Sequence, residues 1–166
     1  RIVDEPAVSR YIRIEKPDVE VVETEWDASH LSFYLRTADE FARWYQDQCK
    51  VDRGNNLITL LARLRAVHFA ANYPQFGVDG IGVHGALTSK QRAVVERLVE
   101  IHEEGAQAIL FAENPGLIEL LRRELEKRGV DAVPFHGGIP IRKRVADKDK
   151  RFLNGNATGL LCTKAS

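Results

Sequence analysis

The sequence predicts an α/β fold in which a parallel sheet is preceded by a pair of helices. Two segments with apolar residues three and four positions apart fill the first half of the chain, as amphipathic helices require. From residue 106 onward, short apolar runs alternate with amphipathic segments, and this βαβαβ order builds a parallel sheet with helices on both faces. The 166 residues are 44% hydrophobic and 29% charged, which suits one ordinary globular domain.

The N-terminal half is predicted to hold one strand and two helices. The string VEVVETEW at 19–26 alternates partly between apolar and polar residues, which predicts a half-buried strand. Asp27 is a candidate N-cap for a helix from Ala28 to about Lys50, and a second helix is expected from Leu57 to just before Pro74. The apolar stripes of this helical hairpin are Leu31, Tyr34, Leu35, Ala38, Phe41, Ala42 and Tyr45, then Leu57, Leu60, Leu61, Leu64, Val67 and Ala71.

A loop and a capped helix are predicted next. The stretch from Tyr73 to Gly85 is rich in glycine and has little periodicity, which marks an internal boundary. Thr88 and Gln91 stand in capping-box positions, so a helix should follow to about Glu104.

Three strands should form the sheet. The apolar run at 108–112 is typical of a strand covered on both faces, and Asn114-Pro115 should open the following helix. A second strand is expected at 130–135, then a glycine turn and a basic helical segment to about Phe152. The third strand is expected at 158–163. The loops at the carboxyl ends, where ligands of such sheets bind, begin at Glu113, His136 and Lys164.

Composition excludes several classes of function. There are 24 basic and 24 acidic residues, so DNA contact would need a local patch. Cys49 and Cys162 have no metal-ligand spacing, which favours free thiols. No apolar run approaches the roughly 18 residues that span a membrane, and no signal peptide is visible, so a cytoplasmic, nucleoid-associated or nuclear protein is expected. The absence of methionine indicates a fragment or a processed chain.

Three strings stand at the predicted strand ends: ILFAEN at 109–114, FHGGIPIRKR at 135–144 and GLLCTKAS at 159–166. In that order they resemble the fourth helicase motif, the next element with its arginine at Arg144, and the start of the fifth motif of the Swi/Snf-related, helicase-like ATPases of superfamily two. Upstream, RYIRIEKPDVEVVETEW and LARLRAVHFAANYP are similar to the stretch that joins the two motor lobes. The resemblance extends from about Arg10 to Ser166 and is most specific in the last third.

The resemblance implies a domain order. Residues 1–26 would be a connecting segment and strand from the first lobe, 27–85 a helical protrusion and linker, and 86–166 a partial second lobe with a RecA-like, P-loop NTPase-type sheet. The parent protein would be an ATP-dependent translocase on double-stranded DNA, with a possible protein partner at the helical protrusion. This sequence has no GxxxxGK[ST] loop, no acidic box and no sixth motif, so ATP and Mg²⁺ would be bound mainly by an absent first lobe. We therefore assign no catalytic or metal residue and expect the chain alone to hydrolyse no ATP.

The resemblance also implies contacts with the DNA backbone. Backbone amides at a glycine turn and at a helix N-terminus direct partial positive charge at phosphates, and basic side chains add to it. Glu113 departs from the usual polar pair of the fourth motif, and a carboxylate there would repel phosphate. The densest basic cluster is Arg142, Lys143, Arg144, Lys148, Lys150 and Arg151. The implied DNA contacts are Asn114, His136, Gly137, Gly138, Lys143, Arg144, Thr163 and Lys164.

Other interpretations remain open at this point. The basic cluster could be a solvated helix face, Thr163 and Lys164 an ordinary strand exit, and His136 a residue that only shapes its turn. A non-catalytic α/β module that binds a protein or nucleic acid is the main alternative function. The second lobe of a strand-separating helicase is another.

Overall fold

The computed structural model describes residues 18–48, 57–77 and 83–164. The predicted α/β class is confirmed, with a small parallel sheet and helices on both of its faces. In chain order the elements are α1 (Ala28–Gln48), α2 (Leu57–Asn72), α3 (Ser89–Glu103), β1 (Ala108–Ala112), α4 (Pro115–Lys127), β2 (Ala132–Phe135), α5 (Ile141–Asp147), a π-helical turn (Lys148–Phe152) that continues α5, and β3 (Gly159–Thr163).

The sheet has the strand order β1-β3-β2, and both pairs of neighbouring strands are parallel. Ala112 pairs with Thr163, and Phe135 pairs with Cys162, so all three strands end at nearly the same level. This common end is called the carboxyl edge below.

Two apolar layers cover the sheet. One lies between the sheet and the helices α3 and α4, and the other lies between the sheet and the helical segment after β2. Leu161 belongs to the first layer and its neighbours Leu160 and Cys162 belong to the second, because successive strand residues point to opposite faces. All five residues of β3 are buried, as predicted for a strand covered on both faces.

The prediction of two-sided burial is wrong for β1. Ile109 is 54% exposed and Phe111 is 63% exposed, although they pair with the buried Leu160 and Cys162. Alternation within the strand puts Ile109 and Phe111 on the α5 face of the sheet. Among the described residues, the apolar layer on that face covers β2 and β3 but stops short of β1.

The two helices of the hairpin begin at the predicted residues, Ala28 and Leu57, and α2 ends before Pro74 as predicted, whereas the predicted end of α1 near Lys50 lies outside the described residues. The hairpin buries faces that differ from the predicted ones. His30, Phe33 and Thr37 are the buried residues of α1, and Ala66 and Ala70 are those of α2. The His30 Nε2–H donates to the Ala70 carbonyl at 2.8 Å, which joins the helices. Small alanines allow two helices to approach closely, so the packing leaves much of the predicted stripe exposed: Leu35, Tyr45, Leu57, Leu61 and Leu64.

The strand predicted at 19–26 is not formed. Residues 18–27 are neither helix nor strand, and 18–26 are exposed. The segment is attached to α3, because the Ser89 hydroxyl donates to the Glu25 carbonyl and the Asp27 carboxylate pairs with Arg92. Adjacent Val21 and Val22 break the alternation that a half-buried strand needs, and in the described part of the chain no strand lies beside this segment.

The predicted capping box of α3 is confirmed. The Thr88 hydroxyl accepts from the Gln91 backbone N–H at 3.2 Å, and the Gln91 side-chain oxygen accepts from the Thr88 N–H at 3.1 Å. We expect Thr88→Ala to lower the free energy of unfolding by about 1 kcal/mol, measured by urea denaturation. Thr88→Ser keeps the hydroxyl and should remain close to the parent chain. An equal loss in both variants would assign the effect to the buried methyl group and not to the cap.

Candidate nucleic-acid interface

The predicted convergence of the three strand ends is confirmed. Because β1, β3 and β2 are parallel and end level, the residues that follow them lie along one edge of the sheet. Glu113 follows β1, Lys164 follows β3 and His136 follows β2. The carboxyl edge therefore brings together residues that are up to 51 positions apart in the sequence.

Glu113 is the centre of a polar cluster at this edge. Lys164 Nζ donates to its Oε1 at 2.9 Å, and the Tyr73 hydroxyl donates to its Oε2 at 3.2 Å. His68 Nε2 lies 3.7 Å from the same Oε2. The hydrogen bond and charge of Lys164, together with the Tyr73 hydroxyl, lower the pKa of Glu113. Burial and the neighbouring Glu113 charge raise the pKa of Tyr73.

Two members of the Glu113 cluster were not found by sequence reasoning. Tyr73 precedes Glu113 by 40 residues and follows the last turn of α2. His68 lies on α2 itself. No periodicity or spacing connects these residues to β1. The contacts that the end of α2 and the segment after it make with α3 and with Glu113 bring them there.

A cleft of about 340 Å³ opens beside the Glu113 cluster, between α2, α3 and β1. Its polar lining includes Asn72, Lys90 and Gln91, and its apolar lining includes Val94, Leu110 and Leu117. Lys90 and Lys164 give this cleft two exposed ammonium groups.

His136 is buried and has partners on both ring nitrogens. Its Nδ1 accepts from the Gly138 N–H at 3.2 Å, so Nε2 carries the proton and donates to Glu119 Oε1 at 3.1 Å. Burial acts to raise the pKa of Glu119, but the hydrogen bonds from His136 and Arg122 outweigh it and lower that pKa. In this arrangement His136 shapes its turn and joins the turn to α4.

The two turn glycines differ in their surroundings. Neither has a positive φ. A Cβ on Gly137 would meet open space, whereas a Cβ on Gly138 would lie 3.1 Å from the His136 ring. Gly137 is thus the glycine whose backbone is open to an approaching molecule.

Arg144 and Lys143 lie in α5, close after the carboxyl edge. The Arg144 guanidinium carbon is 5.0 Å from the centre of the Phe135 ring. Its Nε and Nη1 atoms are buried and have no hydrogen-bond partner in the described structure. Lys143 is exposed and forms no ion pair with any described residue. These are two different cationic groups, one stacked on an aromatic ring and one in solvent.

Asn114 and Thr163 contribute to the fold at this edge. The Asn114 side-chain oxygen caps α4 by accepting from the Gly116 N–H at 2.7 Å, as its position before Pro115 predicted. Thr163 is buried at the end of β3. Of the eight residues implied as DNA contacts, Gly137, Gly138, Lys143 and Lys164 are exposed, Asn114 and Arg144 are half-buried, and His136 and Thr163 are buried.

The six basic residues that form one cluster in the sequence do not form one patch. Arg151 pairs with Asp131, which precedes β2 and therefore lies at the opposite edge of the sheet. Lys148 pairs with Asp149. The first half of the cluster, at 142–144, is the part that lies near the carboxyl edge.

The described residues do not form a site for Mg²⁺. None of their His, Cys, Asp and Glu side chains are grouped in threes or more at distances suited to a metal ion. Magnesium prefers carboxylate oxygens, and the Glu113 carboxylate already binds Lys164 and Tyr73. Burial raises the pKa of the Cys162 thiol, which suits a packing role in β3. Within the described ranges, no helix has the length and apolar character needed to cross a membrane.

No protein-family model matches this sequence, and no curated protein matches it either.

Proposed function

We propose that this chain is part of the second RecA-like lobe of a Swi/Snf-type, ATP-dependent double-stranded DNA translocase, and that the carboxyl edge of its sheet binds the DNA backbone. One observation carries the proposal. Three parallel strands end level at one edge, and each of these ends bears a string that resembles a helicase motif. Ligands of open parallel sheets bind at such an edge, which supports a shared role for the three strings.

The chemistry of the carboxyl edge suits phosphate better than bases. Lys143 and Lys164 are exposed ammonium groups, and the Gly137 backbone is open to close approach. Such groups neutralise phosphates and set the position of a protein on a duplex without reading its sequence. A motor that moves along DNA requires this kind of contact.

ATP hydrolysis would belong to the parent protein and not to this chain alone. ATP and Mg²⁺ would be held mainly by a first lobe, and this second lobe would complete the ATP site. The sequence contains no GxxxxGK[ST] phosphate loop, which supports that division.

A role in binding a protein partner is a second proposal for the helical hairpin. Leu57, Leu61 and Leu64 are exposed on the face of α2 opposite to the buried Ala66 and Ala70. An apolar helix face in solvent is typical of a protein-binding surface. This role is compatible with the proposed translocase. The alternative function, a non-catalytic binding module, would use the same surface.

Binding to a fluorescently labelled DNA duplex, followed by anisotropy at several salt concentrations, tests the main proposal. We expect the chain to bind at low salt with an affinity that falls as salt rises. Lys143→Ala should weaken binding about three-fold to ten-fold and reduce the slope of log affinity against log salt by about 1, because one phosphate contact is lost. Duplexes of unrelated sequence should give the same affinities.

The matched control is Lys127→Ala. Lys127 is an exposed lysine at the end of α4, and the topology puts it at the opposite edge of the sheet. The same loss of charge there should leave DNA binding nearly unchanged. If the chain binds no duplex at low salt, the DNA-binding proposal is wrong and the non-catalytic protein-binding module becomes the better description. Equal effects of the two lysine substitutions would exclude the carboxyl edge as the binding surface.

A further inference from the structure

Three polar side chains from three separate parts of the fold surround one carboxylate. Tyr73 comes from the loop after α2, His68 from α2 and Lys164 from the end of β3, and all three face Glu113. Each of the two carboxylate oxygens has its own partner, with Lys164 at Oε1 and Tyr73 at Oε2. The three groups therefore form a small site for an anion, and the protein's own Glu113 occupies it.

The position of this anion site indicates which anion it would bind. It lies at the carboxyl edge, where α2 and the segment after it meet the residues that follow β1 and β3, and where the chain is proposed to contact DNA. A phosphodiester carries one negative charge and two unesterified oxygens, as a carboxylate does. It can accept from the same ammonium and hydroxyl groups.

We propose that Tyr73, His68 and Lys164 form a phosphate site at the carboxyl edge, which Glu113 fills in the absence of DNA and a backbone phosphate of duplex DNA fills when DNA binds. The inference rests on the proposed function, since that function identifies the anion. It gives Glu113 a role as an internal competitor of DNA. It also adds Tyr73 and His68 to the residues that contact the DNA backbone.

The exposure of the Glu113–Lys164 ion pair favours the exchange of Glu113 for phosphate. The side chains of Glu113 and Lys164 are 50% and 69% exposed, so both can rotate into solvent without opening the core. An exposed ion pair of this kind contributes little to stability, and salt weakens it further. Tyr73 is buried, so its hydroxyl can remain in place as a donor when Glu113 leaves the site.

Glu113→Gln tests the inference through DNA affinity. The amide keeps the shape of the side chain but removes the charge that holds Lys164, so we expect duplex DNA to bind about three-fold to ten-fold more tightly. Adding Tyr73→Phe to Glu113→Gln should reverse part of that gain. The double variant lacks the Tyr73 hydroxyl, which in Glu113→Gln would donate to the DNA phosphate. Glu100→Gln is the control. Glu100 is exposed and paired with Arg97 on α3, so its substitution changes the net charge equally at a distance from the edge.

A second measurement uses inorganic phosphate and the NMR signals of the His68 ring. In Glu113→Gln, phosphate should shift the His68 signals in a saturable way, whereas in the parent chain Glu113 should keep the site closed and the shifts should be small. These signals report on the site itself and not on DNA binding elsewhere.

The outcomes separate the two proposals. If duplex DNA binds and Glu113→Gln behaves like Glu100→Gln, the phosphate site is wrong while the proposed function stands. If no variant binds duplex DNA but Glu113→Gln binds phosphate at His68, the anion site stands and the DNA function is wrong. If no variant binds duplex DNA and phosphate leaves the His68 signals of Glu113→Gln unchanged, both proposals are wrong.

Discussion

Leu161→Ala is expected to lower the free energy of unfolding by about 3 to 4 kcal/mol. Leu161 is fully buried in the central strand β3, and it packs with Ile118, Leu121 and Leu125 of α4. Truncation removes burial energy and leaves a cavity that the surrounding helices and strands cannot close. A loss of this size is a large share of the stability of an ordinary domain. Urea denaturation followed by far-ultraviolet circular dichroism measures it.

Ile109→Thr is the control for the uncovered face of β1. Ile109 pairs with Leu160 in the adjacent strand, but it is exposed and belongs to neither of the two buried clusters. Threonine keeps the β-branched shape that strands favour, so the expected loss is below about 1 kcal/mol. A loss as large as that of Leu161→Ala would mean that the α5 face of β1 is covered in solution.

His136→Ala is expected to lower the free energy of unfolding by about 2 to 3 kcal/mol. The substitution removes the acceptor of the Gly138 N–H and the donor to Glu119 Oε1, so the Glu119 carboxylate keeps only its hydrogen bond from Arg122. The turn between β2 and α5 also loses its attachment to α4. Urea denaturation measures the loss. The DNA affinity of the folded fraction should fall only to the extent that the turn between β2 and α5 is displaced.

Gly137→Ala is the matched control in the same turn. A Cβ at Gly137 meets nothing within 4 Å, and its φ is not in the left-handed region, so the stability should be unchanged or slightly higher. If His136→Ala kept full stability but lost DNA affinity, His136 would be a direct phosphate contact and not a residue that shapes the turn.

Sequence reasoning was most accurate where a local rule applies. The structure contains the capping box of Thr88 and Gln91 and the Asn114-Pro115 start of α4. It also contains the three strands in the predicted order along the chain. Caps and periodicity depend on contacts within one helical turn or one strand, so a short window of sequence contains their cause. The strand expected at 19–26 had weaker support, because a strand also needs a neighbour to pair with.

The candidate site was predicted in part. The three strand ends were placed correctly, because parallel strands joined by helices must end at the same edge. The state of each side chain there was not predictable. His136 and Thr163 are buried, Arg144 is stacked on Phe135, and Glu113 holds Lys164.

The sequence by itself determined the class of the fold, the order of the elements and the edge where functional residues gather, since these follow from local propensities and from the geometry of βαβ units. Only the tertiary structure decided which helix faces are buried, that one face of β1 is open, and that Tyr73 and His68 meet Glu113. The physical reason is that burial depends on the surface a segment packs against. That surface is built here from residues 40 or more positions away.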